Sequence, residues 1–477
     1  MSLFKLLAYF WSFLRDYKLF LIIPLTFALV LALQESFSPY LIKIIIDSIP
    51  KAQETGDWWP IYIVGIGYIF SIEVVNILFR LRDYFKLKVF PSVKTRMVNH
   101  MYSRLLNHAY HFHINQSSGM LANKVSDMVK GVETIFNMIV DVFLWRLLSL
   151  IFATITIYLA SPMLSVVLLI WCIFFISGTL KLSMKVHSLA VIFSVSRNGL
   201  FGKITDGLSN ILNILLYQKQ KTESQVIDEH LKYHRQKEER LLKATLKIGF
   251  YQGLMVTFFT GMITASLIYG CQNGILSLGQ FSLVIILSGT IIRNAYSISS
   301  DLVQFSKEFG ACSQAMIVIE ASQSILMQDN HQPLIITRGA AIRYHQVSYG
   351  YNRDNDVLRN ISLSINAGDK IGLVGVSGGG KTTLISLLVR LFDPDCGKIT
   401  IDGQNIKDVG IQSLRENISV VPQEPILFNR TIRENIQFGC DKATIEEVIQ
   451  ASKKAYCHEF ITALDQGYES LVGERGQ

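Results

Sequence analysis

The segment KIGLVGVSGGGKTTLISLLVRLF (370–392) carries the residues best spaced for chemistry. Gly375, Gly380, Lys381 and Thr382 fill the pattern G-x-x-x-x-G-K-[ST] between an apolar run that reads as a strand and an amphipathic run that reads as a helix, which is the context that pattern requires. Glycines let the backbone curl until successive N–H groups face inward at a phosphate chain, and the helix N-terminus adds partial positive charge. Lys381 is placed to reach the β- and γ-phosphates, and the Thr382 hydroxyl is placed to bind Mg²⁺. Ser377, Gly378 and Thr383 complete the candidate cradle. The competing reading, a glycine-rich turn that happens to precede Lys-Thr, does not explain why strand and helix both flank it.

That loop needs a scaffold, and the sequence from 341 onward has the style of one. Short β-rich runs, AIRYHQVSY, ISLSI, KIGLVG, GKITIDG and NISVVP, alternate with helical stretches such as KTTLISLLVRLF and TIEEVIQASKKAY, which predicts an α/β domain. Thr444 with Glu447 stands in capping-box register at the start of the last of these. The polar stretch ASQSILMQDNHQPLIITRGA (321–340) reads as a linker into it.

The residues before the linker are of another kind. Half of the 477 residues are apolar and 17% are charged, and the mean hydropathy is positive, which suggests a membrane protein with a soluble part. About 20 apolar residues cross a bilayer's hydrocarbon core. Six stretches meet that demand, at about 19–46, 58–80, 135–160, 162–182, 247–271 and 278–300, with ASPM (160–163) and CQNGILSLGQ (271–280) as tight turns. The formal charge of +8 is concentrated in 80–136 and 181–247, so these connections are expected on the cytoplasmic side with both termini. Nothing in the sequence resembles a nucleic-acid module. Both basic connections are rich in helix formers, as in SQVIDEHLKYHRQKEERLLKATLK (224–247), so the spans are expected to continue as helices into the cytosol. The N-terminal MSLFKLLAYFWSFLRDYKLF reads as an amphipathic lead-in helix and a retained first span, because no small-x-small cleavage site follows it.

Several residues in this half invite a chemical reading. Glu35, Glu73, Asp141 and Arg146 lie in or beside apolar spans; such charges either line a path for a polar substrate or sit at interfacial depth without a ligand. His108, His111 and His113 could suggest a metal, but His113 leaves the face shared by the other two, and no carboxylate or cysteine stands near. The six cysteines, at 172, 271, 312, 396, 440 and 457, show no metal-ligand spacing and read as reduced packing residues.

Taken together, these features resemble an exporter-type half-transporter of the ABC transporter family: a multi-domain membrane protein with an all-α six-helix transmembrane domain (1–320), the linker 321–340, and an α/β P-loop NTPase domain (341–477). The resemblance implies ATP and Mg²⁺ as cofactors. It places Tyr351 of VSYGY (347–351) against adenine, and Gln423 of VVPQEPILF (420–428) beside Thr382 as a sensor of Mg²⁺ and γ-phosphate. TIRENIQFG (431–439) follows as the family has it, HINQSSGMLANKVSDMV (113–129) resembles the first cytoplasmic hairpin of the exporters, and VGERG (472–476), centred on Glu474, matches a loop between cassette and hairpins. In the family an LSGGQ signature, a Mg²⁺-associated Asp, a catalytic Glu and a switch His come next. None follows Gln477, so the NTPase domain is expected to be incomplete and no catalytic residue is assigned. LSLGQ (276–280) imitates the signature from a turn between spans. The function implied is the ATP-binding subunit of an exporter moving an unknown substrate by alternating access, multi-pass in a plasma or inner membrane. Its implied partners are membrane lipid, a second half-transporter subunit, homo- or heterodimeric, and a separate chain carrying the rest of the cassette. The alternative is a non-hydrolysing nucleotide-sensing membrane protein or an inert remnant.

Overall fold

The structure, a computed structural model, describes residues 3–114, 116, 118–320, 332–337, 339–351, 356–423, 426–440 and 442–472. It divides into two compact units, Met1–Met327 and Gln328–Gln477.

The first unit is helical. Helix α1 (Leu3–Leu14) buries Leu6, Phe10, Phe13 and Leu14, one face at helical spacing. Six long helices follow: α2 (Ile22–Thr55), α3 (Trp59–Leu106), α4 (Ser118–Ala160), α5 (Pro162–Ser209), α6 (Gln220–Gln272) and α7 (Leu278–Ile319), each long and apolar enough to cross a membrane. At 1.5 Å per residue, a helix of 48 residues such as α3 extends about 70 Å, more than twice a hydrocarbon core of about 30 Å. The spans therefore continue well past the bilayer as unbroken helices. Two apolar cores hold them. One joins α1, α3, α4 and α7 through Met97, Met101, Val132, Ile135 and Ala315; the other joins α4 to α7 through Ile157, Trp171, Phe175, Phe259 and Leu287. In the first, a Cβ on Gly131 would stand 1.9 Å from the Cys312 sulfur, so only glycine permits this approach of α4 to α7. The LSLGQ segment starts α7: Ser277 and Gln280 cap it reciprocally, each side chain bonding the other's backbone N–H at 3.1 and 2.9 Å.

Several charges near the spans have counter-charges or hydrogen-bond partners. Within α4 one turn, Met138–Leu144, widens to a π-helix. It presents Asp141 to Lys86 at 2.8 Å and Arg82 at 3.8 Å, and the Arg82 guanidinium lies over the rings of Phe27 and Phe79. Arg146 pairs with Asp301, Glu35 accepts from Ser149, and Asn294 donates to the same hydroxyl at 3.4 Å. Glu73 accepts from Asn76, one turn away. Beside Arg146, Ser149 and Asn294 lies a cavity of ≈ 40 Å³ walled by Trp171 and Phe175, room for a few waters and too little for a transported solute. His108 is buried and its Nε2 meets the Ile319 carbonyl at 3.1 Å, with Phe112 stacked on the ring.

The second unit contains a four-stranded antiparallel sheet of order β2-β1-β3-β4, formed by β1 (Ile342–Tyr349), β2 (Leu358–Ile365), β3 (Cys396–Ile401) and β4 (Gln404–Asn405). Tyr344 pairs with Leu363 on one side and Ile399 on the other. The helices of this unit are α8 (Lys381–Leu388) and α9 (Ile411–Glu416), which pack on the sheet, and α10 (Ile432–Gln437), α11 (Ile445–Lys454) and α12 (His458–Thr462), which pack on one another. Val347, Leu387, Ile399 and Leu414 close the core between α8, α9 and the sheet. The expected capping box of α11 is present, with Thr444 N–H donating to Glu447 at 2.8 Å, and α10 carries a second one from Thr431 and Glu434.

Two of the runs expected as strands, KIGLVG (370–375) and NISVVP (417–422), do not join a ladder. A strand exists only where a facing chain takes up its N–H and C=O groups, and among the described residues none lies alongside these two. Their side chains stand open accordingly: Val374 is 97% exposed and Val421 92%. The linker residues 321–331 and 338, and Glu474 with the rest of 473–477, lie outside the described residues.

Candidate functional site

The glycine loop closes directly onto α8. Gly378 and Gly380 adopt φ of +79° and +81°, a left-handed conformation that glycine tolerates and a side chain resists. Gly380 is also sterically closed, since a Cβ there would meet Leu358 at 2.7 Å. Gly379 N–H turns back to the Val376 carbonyl at 3.1 Å, and Leu384 N–H reaches the Gly380 carbonyl at 2.9 Å, which starts the helix. The Lys381 ammonium curls over the loop and donates to the carbonyls of Gly375 and Val376, both at 2.8 Å. It therefore spans the mouth of the loop, poised against oxygen acceptors. Gly375, Ser377, Gly378 and Thr382 are all exposed, whereas Thr383, one position further along α8, is buried. Successive helical residues point about 100° apart, so the two threonines serve different surroundings.

The base of α8 is anchored from the sheet. The Tyr344 hydroxyl donates to the Leu384 carbonyl at 3.1 Å, and burial pushes its pKa up to about 12, so it keeps the proton it donates. Beyond the C-terminal end of α8, Arg390 turns into the left-handed region at φ +54°. Its guanidinium bonds Asp393 and the carbonyls of Ile406 and Val409. The helix expected through Phe392 thus stops at Leu388, where this residue reverses the chain.

Tyr351 lies at the N-terminal end of α8. Its hydroxyl is 3.0 Å from the Thr383 hydroxyl, and its ring stands nearly perpendicular to those of Tyr349 and Phe392. The structure thus brings together Tyr351, Thr383 and the loop Gly375–Thr382. Gln423 is exposed, and among the described residues no hydrogen bond joins it to the loop. Arg390, Tyr344 and Phe392 are the supporting residues that sequence reasoning missed, and no pattern in the sequence around Arg390 announces its burial.

Comparison with known proteins bears on the family and the fold. The profile of the ABC transporter transmembrane region matches residues 20–295 and that of the ABC transporter matches 358–472. A mitochondrial iron-sulfur clusters transporter atm1 of Neurospora crassa is 36% identical over 251 residues, 50% of this chain and 34% of that protein. The putative multidrug export ATP-binding/permease protein YgaD of Bacillus subtilis is 46% identical over 136 residues, 28% of this chain and 23% of that protein. The chain thus spans less than half the length of these relatives. In fold it is similar to a bacterial Atm1-family ABC exporter with ATP bound, at a TM-score of 0.83 and 22% identity, over 97% of this chain and 81% of that one. With a family profile across more than half its length and six apolar helices ahead of a glycine loop, the chain belongs to the ABC transporter family as a multi-pass membrane protein.

Proposed function

We propose that this chain is the ATP-binding subunit of an exporter that moves a solute across a membrane by ATP-driven alternating access. The observation that carries the reading is the glycine loop Gly375–Gly380, folded at the N-terminus of α8 with Lys381 across its mouth, in a chain whose other unit is six membrane-length helices. In this reading the backbone N–H groups of Gly375, Ser377, Gly378 and Gly380 and the Lys381 ammonium hold the β- and γ-phosphates. The exposed Thr382 hydroxyl and the Gln423 amide hold Mg²⁺, which when bound neutralises phosphate charge. Tyr351 takes the adenine ring, and Thr383 belongs to the same site. In this reading the nucleotide unit and both termini lie on the cytoplasmic side, which the basic character of the helical extensions supports. A second half-transporter subunit completes the translocation path; ATP then acts by binding one arrangement of the pair better than the other.

The test is nucleotide binding by the full chain in detergent or nanodiscs. Mg²⁺-dependent binding of a non-hydrolysable ATP analogue is expected, and Lys381→Ala should weaken it by about 100-fold, since two or more charge-assisted hydrogen bonds at about 1.5–3 kcal/mol each are lost. Equal labelling of wild type and Lys381→Ala would refute the site.

A further inference from the structure

Helices α5 and α6 run antiparallel, and three contacts fix their register. The Trp171 indole N–H donates to the Met255 carbonyl at 2.8 Å, the Tyr251 hydroxyl donates to the Phe174 carbonyl at 2.7 Å, and Ser196 Oγ lies 2.9 Å from His234 Nδ1. In that register Lys181 is level with Lys247, and Lys185 with Lys243. The apolar seam between the two helices runs through Leu182, Val186, Leu241 and Ile248. At about 100° per residue each lysine stands about 100° round from the seam, in the same sense on both helices, which in an antiparallel pair brings all four to one side. All four are exposed, and among the described residues their ammonium groups have no ion pair or hydrogen bond. No acidic residue occurs in 162–205 or 240–272, so these stretches supply no counter-charge. Toward the span the same side turns apolar, with Phe174 level with Leu254, 62% and 55% exposed. Between the two levels Tyr251 crosses from α6 onto α5 at Gly178, where a Cβ would stand 2.1 Å from the tyrosine hydroxyl. The glycine thus opens a notch floored by tyrosine, a residue suited to the headgroup level of a bilayer. Lys181 and Lys247 stand at the ends of the apolar stretches 162–182 and 247–271, and Lys185 and Lys243 one turn further out, about 6 Å.

We propose that this side of α5 and α6 is a binding site for an anionic phospholipid, with the headgroup phosphate among the four lysines and the acyl chains along Phe174 and Leu254. Like charges one turn apart oppose each other on a helix, and a lipid phosphate removes that opposition. Lysine clusters at the end of a span are suited to anionic headgroups. A free phosphate would satisfy the lysines alone; their continuity with exposed apolar side chains selects a lipid. The inference rests on the membrane-length helices and goes beyond the nucleotide reading, on which it does not depend.

Native mass spectrometry of the full-length chain in a nonionic detergent tests this by titration with dioleoylphosphatidylglycerol or dioleoylphosphatidylcholine. The second has the same chains and phosphate but no net charge. Phosphatidylglycerol should bind wild type at least about tenfold more tightly. A lysine at an anionic lipid surface is worth about fivefold, so Lys181→Gln with Lys247→Gln should weaken phosphatidylglycerol by about 25-fold and leave phosphatidylcholine unchanged. Lys181→Arg with Lys247→Arg should bind as wild type does, which separates lost charge from a fold defect. Lys219→Gln with Lys221→Gln removes the same charge from the far end of α6 and should change nothing. Millimolar glycerol 3-phosphate, the headgroup chemistry without chains, should not displace the lipid. Equal affinity of wild type for the two lipids would overturn the inference, as would equal losses from the two glutamine pairs. Displacement by glycerol 3-phosphate would overturn it too, by showing a site for a soluble anion. Each of these failures leaves the nucleotide reading standing, because no nucleotide enters the titration.

Discussion

Replacing Arg390 by methionine should loosen the ground beneath the glycine loop without touching the loop. Arg390 is 7% exposed, and its guanidinium satisfies three acceptors in different directions: Asp393 at 3.0 Å, the Ile406 carbonyl at 3.3 Å and the Val409 carbonyl at 3.2 Å. The carbonyl of Arg390 itself accepts from Arg415, so α9 is tied to the same point. Methionine fills comparable volume but leaves a carboxylate and two carbonyls without their donor. Removing one partner of a buried ion pair costs about 3–5 kcal/mol, a large share of the ~5–15 kcal/mol that a domain has. At 1.4 kcal/mol per decade, a loss of about 4 kcal/mol multiplies the opening equilibrium roughly 1,000-fold. Hydrogen exchange followed by mass spectrometry should show it in peptides covering 381–388 and 411–416, with the membrane helices unaffected. Arg390→Lys should fall between wild type and Arg390→Met, because one ammonium cannot reach all three acceptors. Wild-type exchange rates in Arg390→Met would refute the reasoning, and so would equal damage from both variants.

Three further outcomes follow from other parts of the molecule. Gly380→Ala should abolish nucleotide-analogue binding while leaving exchange in the sheet unchanged, because both φ +81° and the Leu358 contact at 2.7 Å exclude a side chain; binding at wild-type strength would mean the loop adopts another conformation. Glu434, whose carboxyl is held below its ordinary value of 4.5 by the Thr431 backbone N–H and hydroxyl, stabilises α10 only when ionised. That contribution is complete above about pH 4.5 and is lost as pH falls through the lowered value, so exchange over 431–437, taken relative to the intrinsic amide rate at each pH, should rise on acidification in wild type and lose that dependence in Glu434→Gln. Asp301→Asn leaves the Arg146 guanidinium short of its counter-charge beside apolar spans, and should lower the thermal midpoint of the detergent-solubilised chain by the equivalent of about 3–5 kcal/mol. The exchange Arg146→Asp with Asp301→Arg should recover part of it, and no recovery would argue that the pair is bystander geometry.

What could be read from the sequence was whatever depends on neighbours along the chain. Hydropathy over about 20 residues identifies a bilayer-crossing helix without knowledge of its partners, because lipid is the partner, and the six helices of the structure overlap the six apolar stretches, the first two starting at Ile22 and Trp59. Capping boxes are equally local, which is why Thr444 with Glu447 was legible. The glycine loop is a run of eight residues whose constraint is mostly its own backbone. By contrast, the π turn at Met138–Leu144, the burial of Arg390 and the approach of Gly131 to Cys312 each depend on an element far away in sequence, and no pattern around those residues announces them.

KIGLVG and NISVVP mark the boundary between the two kinds of information. Both have the apolar, β-branched composition of buried strands, as does ISLSI, which became β2. The difference is that ISLSI faces β1, whereas no described backbone stands beside the other two. Composition reports what a segment tolerates being buried against, but strand formation also needs a neighbouring strand about 4.8 Å away to take up its hydrogen bonds, and that comes from elsewhere. Val374, Val376 and Val421, at 97%, 80% and 92% exposed, therefore record an apolar demand written in the sequence that the described residues do not meet. The glycine loop hangs from the end of one of these open segments, so its rigidity on that side rests on α8, through the Tyr344 and Arg390 anchors. That is why a substitution at Arg390, remote from any phosphate, is expected to be felt at Lys381.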